Sequence, residues 1–450
     1  METQFNHSVK VPNQYKKAAK VLKNSMVAGA SVKGQIFSEK HAKTNRLYAL
    51  ITKFSKNKGK IDTIIEKSQI LKNEQRLDVY LCYVLVTELL FGAKHLNGDS
   101  KPVQCVRGYE NKFKEILAEI ENDKSAMSSV NASGSDIVKP RYIRINTNVM
   151  SRSEALEAFT TDGWIEVKCE NYDEFLQAID NLTDEQFISD LHVNDLFVFP
   201  ASSKRYWALN QLAKQSKVIL QDKASCLPAF LLNPTRGSYV LDMCAAPGMK
   251  TSHLAALMKN RGTIWAIERD QKRFETLSNF VQKTNCKIVK PINLDVLAID
   301  PNDYRKAQFI LLDPPCSGSG MTNRINIFEG SSANESTNAE RLPQLATLQT
   351  KMLVSAMSNF PNATKLIYST CSVNVEENEQ VVQRALEMCS ETDWKLVKPI
   401  DFAEKWKNFG SPKYKHIGKK CLYAKSDIDR TDGFFVAIFE RELRTNDDES

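Results

Sequence analysis

No CxxC pair occurs among the ten cysteines of this chain. Zinc ribbons and fingers use that spacing, so no metal site is expected. No apolar stretch is long enough to cross a bilayer. The longest, Val79 to Phe91, contains Glu88 and reads as a buried helix. The N-terminus is polar and lysine-rich, without the apolar segment of a secretory signal. A reducing, intracellular compartment is therefore expected, with the cysteines as free thiols. There is no internal repeat. There is no Walker loop either: Met249 separates Gly248 from Lys250, and position 243 is Met where that motif needs a second glycine.

What is present suits a globular protein: 42% apolar and 26% charged residues in a chain of 450. That length allows two or three domains. The net charge of +7 is unevenly placed. Residues 1–60 carry 12 Lys and one Arg against Glu2 and Glu39, a surplus of eleven, so the remainder is net −4. Such asymmetry suits a polyanion such as RNA, and a solvated helical face is the plainer alternative.

Helical spacing runs from about Gln14 to Asp123 and predicts a five-helix N-terminal domain over residues 1–123. Small polar residues follow, a linker over 124–138. From Pro140 a strand (Arg141 to Asn146), a helix (Ser153 to Phe159), a strand (Trp164 to Val167), a helix (Tyr172 to Ile179) and a strand (Leu196 to Phe199) predict a small α+β domain over 139–217. It would be of ferredoxin-like or RNA-recognition type. Arg141, Arg144, Lys204 and Arg205 are its candidate phosphate contacts. Over 218–445 the strands YVLD, TIWAIE, FILLD, KLIYST and FFVAIF are continuously apolar, which marks a sheet covered on both faces. The fold class predicted is α/β. Residues 329–340 read as a polar loop near the site, and 446–450 as a frayed acidic tail.

Chemistry in an open α/β sheet sits at strand ends. Val240-Leu-Asp242 runs into Cys244-Ala245-Ala246-Pro247-Gly248-Met249-Lys250-Thr251 and then a helix, a turn whose small residues let backbone approach a ligand. Glu268 ends the next strand, 26 residues after Asp242, where an acid can accept hydrogen bonds from ribose hydroxyls. Arg273 lies one helical turn on, and Asp295 ends the element after that. Two further strand ends carry Asp313-Pro-Pro-Cys316 and Ser369-Thr-Cys371. A cofactor-type loop beside two such cysteines suggests a nucleophile attacking a substrate next to a bound small molecule. The residues alone do not choose which cysteine attacks.

These three segments together resemble the Sun/Fmu (Nop/Sun-domain) family of RNA cytosine-C5 methyltransferases. The likeness extends over about residues 139–440 and includes Pro140-Arg-Tyr-Ile-Arg-Ile-Asn-Thr147 and Gln221-Asp-Lys-Ala-Ser225. Cys316-Ser-Gly-Ser-Gly-Met321, Cys226-Leu-Pro-Ala229, Gly433-Phe-Phe-Val-Ala437 and Val32-Lys-Gly34 are similar to the fifth-member, Rcm-like type that acts on large-subunit rRNA. The resemblance implies a Rossmann-like domain that uses S-adenosyl-L-methionine. The 244–250 loop would hold its methionine end and Glu268 its ribose; Arg273 and Asp313 would complete the pocket, and Asp295, by its place at a strand end, could meet an adenine edge. It assigns attack to Cys371 and release of the methylated base to Cys316, with Asp313 at the N3/N4 edge of the ring.

The implied product is 5-methylcytosine in RNA, formed through a covalent Cys–C6 adduct. The implied partner is rRNA or a pre-ribosome, the location nucleus and nucleolus, the state a monomer without membrane or metal. Two alternatives stand beside it. A DNA cytosine-C5 methyltransferase would attack with Cys316, and a catalytically idle assembly factor would need neither cysteine.

Overall fold

A helix that is apolar on every side needs neighbours on every side, and one such helix organises the N-terminal part of the chain. The computed structural model describes residues 10–28, 32, 35, 36, 44–127, 139–321, 333–399, 402 and 406–442. The chain divides into two units, Met1–Ser135 with Asn323–Asn338, and Asp136–Thr322 with Ala339–Ser450.

In the first unit the helices are α1 (Asn13–Ala28), α2 (Thr44–Ser68), α3 (Ile70–Asn73), α4 (Val79–Leu90), α5 (Lys101–Gly108) and α6 (Glu110–Met127). Six are named among the described residues where five were expected. Gln69 takes a left-handed φ of 58° and splits the single turn of α3 from α2. The apolar helix is α4. It packs on α1, α2, α5 and α6, burying Val84, Leu85, Val86 and Leu89. Its first turn is capped by Asp78, which accepts from the Leu81 amide at 2.9 Å. Part of the lysine surplus is used internally. Lys58 pairs with Asp62 at 2.5 Å and Lys60 with Glu121 at 2.7 Å; beyond that stretch, Lys67 pairs with Glu119 at 3.2 Å. Residues 124–127, expected in the linker, end α6; 128–138, Lys33, Gly34 and the tail 446–450 lie outside the described residues.

The second unit holds two sheets. The smaller is built from β1 (Arg141–Ile145), β2 (Ile165–Val167), β3 (Gln186–Ser189), β4 (Leu196–Phe199) and β5 (Val218–Leu220), with α7 (Arg152–Thr161) and α8 (Tyr172–Asp180) between strands. The short helices α9 (Lys204–Leu209) and α10 (Gln211–Lys214) precede β5. The strand order is β2-β3-β4-β1-β5. β2 and β3 are parallel and the other pairs antiparallel. Thus Val218–Leu220, beyond the boundary expected at 217, pairs with β1. Both faces are covered. Ile143, Phe187, Phe197 and Phe199 pack on Phe159 and Trp207, while Tyr142, Leu196 and Val198 join the core that includes Val240 and Leu311 of the larger sheet.

The larger sheet contains β6 (Tyr239–Asp242), β7 (Thr263–Ile267), β8 (Val289–Ile292), β9 (Phe309–Leu312), β10 (Lys365–Thr370), β11 (Lys395–Val397), β12 (Leu422–Ala424) and β13 (Phe434–Glu440). Its helices are α11 (Lys223–Leu232), α12 (Met249–Leu257), α13 (Gln271–Lys283), α14 (Ala333–Ser358), α15 (Glu379–Met388), α16 (Lys415–Gly418) and α17 (Ser426–Asp429). The order is β11-β13-β10-β9-β6-β7-β8, with β12 on β13. β6 to β10 run parallel, and β13 is antiparallel to β10, β11 and β12. Along each strand alternate residues enter different cores. Val240, Leu311 and Ile367 face one; Leu241, Ile310 and Leu366 face the other. That double burial is why the strands read as unbroken apolar runs. The chain leaves β6 toward β7 and β8, then returns to β9 and β10 on the other side. The crevice where strand order reverses lies between β6 and β9, the usual ligand position in such sheets. The loop expected over 329–340 begins a helix instead, since α14 starts at Ala333; residues 329–332 lie outside the described residues. No helix among the described residues is long and apolar enough to cross a membrane.

Candidate active site

Register alone brings the expected residues to one edge. In the parallel ladder Asp242 lies opposite Leu311 and Ala266, and Leu312 opposite Tyr368. The residues that follow, Cys244, Glu268, Asp313 and Cys371, therefore leave four adjacent strands at the same end of the sheet.

The turn after β6 reverses sharply. Its Ala246–Pro247 peptide is cis and Gly248 has φ 102°. A Cβ at Gly248 would meet the Phe280 ring at 3.0 Å and Leu277 at 3.1 Å, so both backbone angle and space require glycine. α12 begins at once, and Thr251 donates to the Asp242 carboxylate at 2.7 Å. Burial pushes the Asp242 carboxyl up to about 7; Asp313 adds to this, while Thr251 and Lys250 oppose it. Glu268 is 4% exposed. It accepts from the Asp270 amide at 3.0 Å and pairs with Arg273 at 3.2 Å. Arg273 also donates to the Ala246 carbonyl at 2.8 Å, so it ties the second strand end to the turn. Asp295 stands apart from this set. Its carboxylate caps its own turn, accepting from the Leu297 amide, and faces Arg269 at 3.6 Å.

On the other side of the crevice, Asp313 accepts from Ser369 at 2.7 Å and pairs with Lys250 at 2.7 Å. The Lys250 ammonium lies 5.2 Å from the centre of the Phe434 ring. Burial alone would lower its proton affinity, but Asp313, then Cys371 and Asp242, outweigh that and raise it. Cys316 and Cys371 bring their sulfurs to 3.2 Å. The shared hydrogen bond with Cys371 holds the Cys316 thiol well above the usual range, helped by burial and by the charges of Glu377 and Asp313. The two sulfurs thus share one hydrogen bond, in which either can be the donor. Such an arrangement can supply a nucleophilic sulfur with a second thiol ready to donate to it.

Sequence reasoning missed several contributors. Glu377, fully buried, accepts from the Ser317 amide at 2.7 Å and from Gln349 at 3.0 Å. Ser317 reaches Ser372 at 3.2 Å. The acidic stretch before α15 reads as ordinary helix-cap acids, so no local signal marks Glu377. Arg144 is placed differently from the phosphate contact expected. It is fully buried, donating to Gln221 and to Ser252 of α12, each at 2.8 Å. A surface role needs solvent, and this guanidinium has none. Arg141 is half-buried, and Lys204 and Arg205 are exposed. The ten cysteines are free thiols, and no cluster of metal-ligating side chains occurs among the described residues.

Three family models match successive parts of the chain. They are the N-terminal domain of NOL1/NOP2/Sun domain family member 5 over residues 45–131, the ferredoxin-like domain of the same member over 139–221, and 16S rRNA methyltransferase RsmB/F over 229–440. A 28S rRNA (cytosine-C(5))-methyltransferase of Drosophila melanogaster is 42% identical, with 97% of each chain covered. A 26S rRNA (cytosine-C(5))-methyltransferase of Caenorhabditis elegans is 32% identical, covering 95% of this chain and 98% of its own. Among solved structures, the crystal structure of PH0851 matches with a TM-score of 0.64 at 20% identity, covering 97% of this chain and 100% of that one, a likeness of fold.

Proposed function

We propose a function on the following ground: the chain belongs to the NOL1/NOP2/Sun domain family, in the branch of its member 5. It is an rRNA cytosine-C5 methyltransferase. It uses S-adenosylmethionine and acts on a cytosine of large-subunit rRNA, through a covalent bond between Cys371 and C6 of the base. The observation that carries the covalent step is the pair of sulfurs at 3.2 Å beside the Lys250–Asp313 ion pair. The same substrate implies work in the nucleus and nucleolus.

The residues present fit the methyl donor. Glu268 is a buried acid at the second strand end with Arg273 offsetting its charge, suited to a pair of ribose hydroxyls. The turn from Cys244 to Lys250 offers close-approaching backbone for the methionine end. When bound, S-adenosylmethionine supplies an electrophilic methyl group to C5.

Cytosine C5 is a weak nucleophile. The Cys371 thiolate adds to C6, and the electron pair of the C5–C6 double bond moves to C5 and onward to the N3/N4 edge. Lys250 and Asp313, paired with each other beside Cys371, would meet that edge, the ammonium also favouring a sulfur anion at Cys371. Release then removes the C5 proton and breaks the C6–S bond. The C5–H pair becomes the new double bond and the C6–S pair returns to Cys371. Cys316 donates its S–H to the departing sulfur, and the thiolate left on Cys316 takes the C5 proton. A protonated Cys316 suits this role and does not suit the attack that a DNA-type enzyme would ask of it. The base must be unstacked for C6 to be reached, so the substrate is single-stranded, looped or flipped.

The test is methyl transfer from labelled S-adenosylmethionine to in vitro transcribed large-subunit rRNA. Cys371→Ala is expected to abolish it. Transfer at the wild-type rate in that variant would end the proposal.

A further inference from the structure

Glu377 touches no reacting atom in the chemistry described above, yet it is a fully buried acid directly behind it, and its charge bears on the Cys316 thiol. One carboxylate oxygen accepts from the Ser317 amide and from Gln349; the other accepts from the Ser317 hydroxyl and from Asn374. Gln349 in turn donates to the Pro315 carbonyl at 2.9 Å, so the peptide on each side of Cys316 is fixed. Ser317, the residue after Cys316, meets Ser372, the residue after Cys371, at 3.2 Å. Ser319 bridges both loops as well, 3.0 Å from the Ser372 hydroxyl and accepting from the Val373 amide at 3.0 Å.

A buried carboxylate without a cation beside it is costly unless several donors satisfy it. Here two of the four donors, the Ser317 amide and hydroxyl, belong to the loop that carries Cys316, and a third, Gln349, also holds the Pro315 carbonyl of that loop. The energy of satisfying that charge therefore goes largely into holding this loop in one conformation.

We infer that Glu377 is a positioning residue for the release step: through Ser317 it clasps the Cys316 loop to the Cys371 loop and keeps the two sulfurs in contact. The inference rests on the release role proposed above for Cys316. Without Glu377 the Cys316 loop loses the acceptor of its Ser317 amide and hydroxyl, while Cys371, the residue directly after β10, stays tied to the end of that strand. Addition and methyl transfer then proceed, and resolution of the adduct fails. Damage of a merely structural kind would slow both steps together.

The full-length chain is incubated with in vitro transcribed large-subunit rRNA and labelled S-adenosylmethionine. First-turnover methylation is read by label, and adduct by denaturing gel. Glu377→Ala is expected to methylate within about threefold of wild type, yet to resolve the adduct about tenfold more slowly or worse. Glu377→Gln keeps the shape and can still accept from the Ser317 amide, and is expected to restore release to within about threefold. Ser317→Ala, which leaves the buried charge in place, is expected to accumulate adduct and decides the matter should Glu377→Ala fail to fold. Wild-type release in Ser317→Ala and Glu377→Ala, or equal loss of methylation and release in Glu377→Ala, overturns the inference. So does a Gln variant that releases no faster than Ala. Cys316→Ala is run alongside. If it accumulates no adduct the release role itself falls; if it does and the Glu377 variants do not, only the positioning role falls.

Discussion

The sulfurs of Cys316 and Cys371 lie 3.2 Å apart, although 55 residues separate them in the chain. The juxtaposition follows from the register of β9 against β10, where Leu312 faces Tyr368. Each cysteine then leaves its strand by a few residues in the same direction. The contact is asymmetric in charge. Glu377 and Asp313 bear on Cys316, and the Lys250 ammonium bears on Cys371. The two carboxylates add to the shared hydrogen bond and burial that raise the Cys316 thiol, while Cys371 has a cation to offset its anion.

Lys250 is the source of that offset, so its removal has a chemical signature. Lys250→Met is expected to slow alkylation of Cys371 by iodoacetamide at pH 7 by about tenfold, because the thiolate is the reacting form. Methyl transfer falls about tenfold to a hundredfold with it. Mass spectrometry of the Cys371 peptide measures the first effect. An unchanged alkylation rate would show that the ammonium serves Asp313 alone.

Asp242 gives the fold a pH dependence. Its carboxyl, raised to about 7 by burial, binds a proton more tightly folded than unfolded. The stability it contributes is fully present below about pH 4 and is lost as pH rises through about 7. Asp242→Asn keeps an acceptor for Thr251 and removes the titration. The melting temperature of the variant minus that of wild type is expected to grow more positive from about pH 4 to about pH 7.5. Scanning calorimetry of both proteins in matched buffers checks it, and a constant difference would contradict it.

Arg144 ties β1 to α12 from inside the protein. Arg144→Ala leaves Gln221 and Ser252 without their donor in a buried site, an expected loss of about 3 kcal/mol in urea unfolding. The salt dependence of RNA binding is expected to stay as in wild type, since no phosphate contact has gone. A shallower salt slope with normal stability would restore the phosphate role.

The β6, β7, β9, β10 and β13 strands were legible because burial on both faces leaves an unbroken apolar run. The fold class follows from them, as do the turn after β6 and the two cysteine-bearing strand ends. β3, β8, β11 and β12 have three or four residues each and carry neither an unbroken apolar run nor a motif of their own, and strand pairing is a non-local property that a short window does not carry. β5 illustrates this, since only pairing with β1 decides which sheet it joins. The start of α14 reads as loop because Ala333 to Glu340 is polar apart from two alanines and has no apolar stripe. Arg144 looked like a surface arginine because alternation with Tyr142 and Ile143 says which face a residue is on, and not whether that face meets water. Glu377 is invisible in the sequence for a similar reason: the partner that ties it to the Cys316 loop lies 60 residues back, at Ser317.

The measurement that bears most directly on the central claim locates the covalent bond. Cys316→Ala protein is incubated with rRNA and S-adenosylmethionine, the adduct is digested with nuclease and protease, and the nucleotide-bearing peptide is sequenced by tandem mass spectrometry. The account predicts one methylcytosine nucleotide attached at Cys371. An adduct on any other residue, or none in this variant while Cys371→Ala forms one, would contradict it.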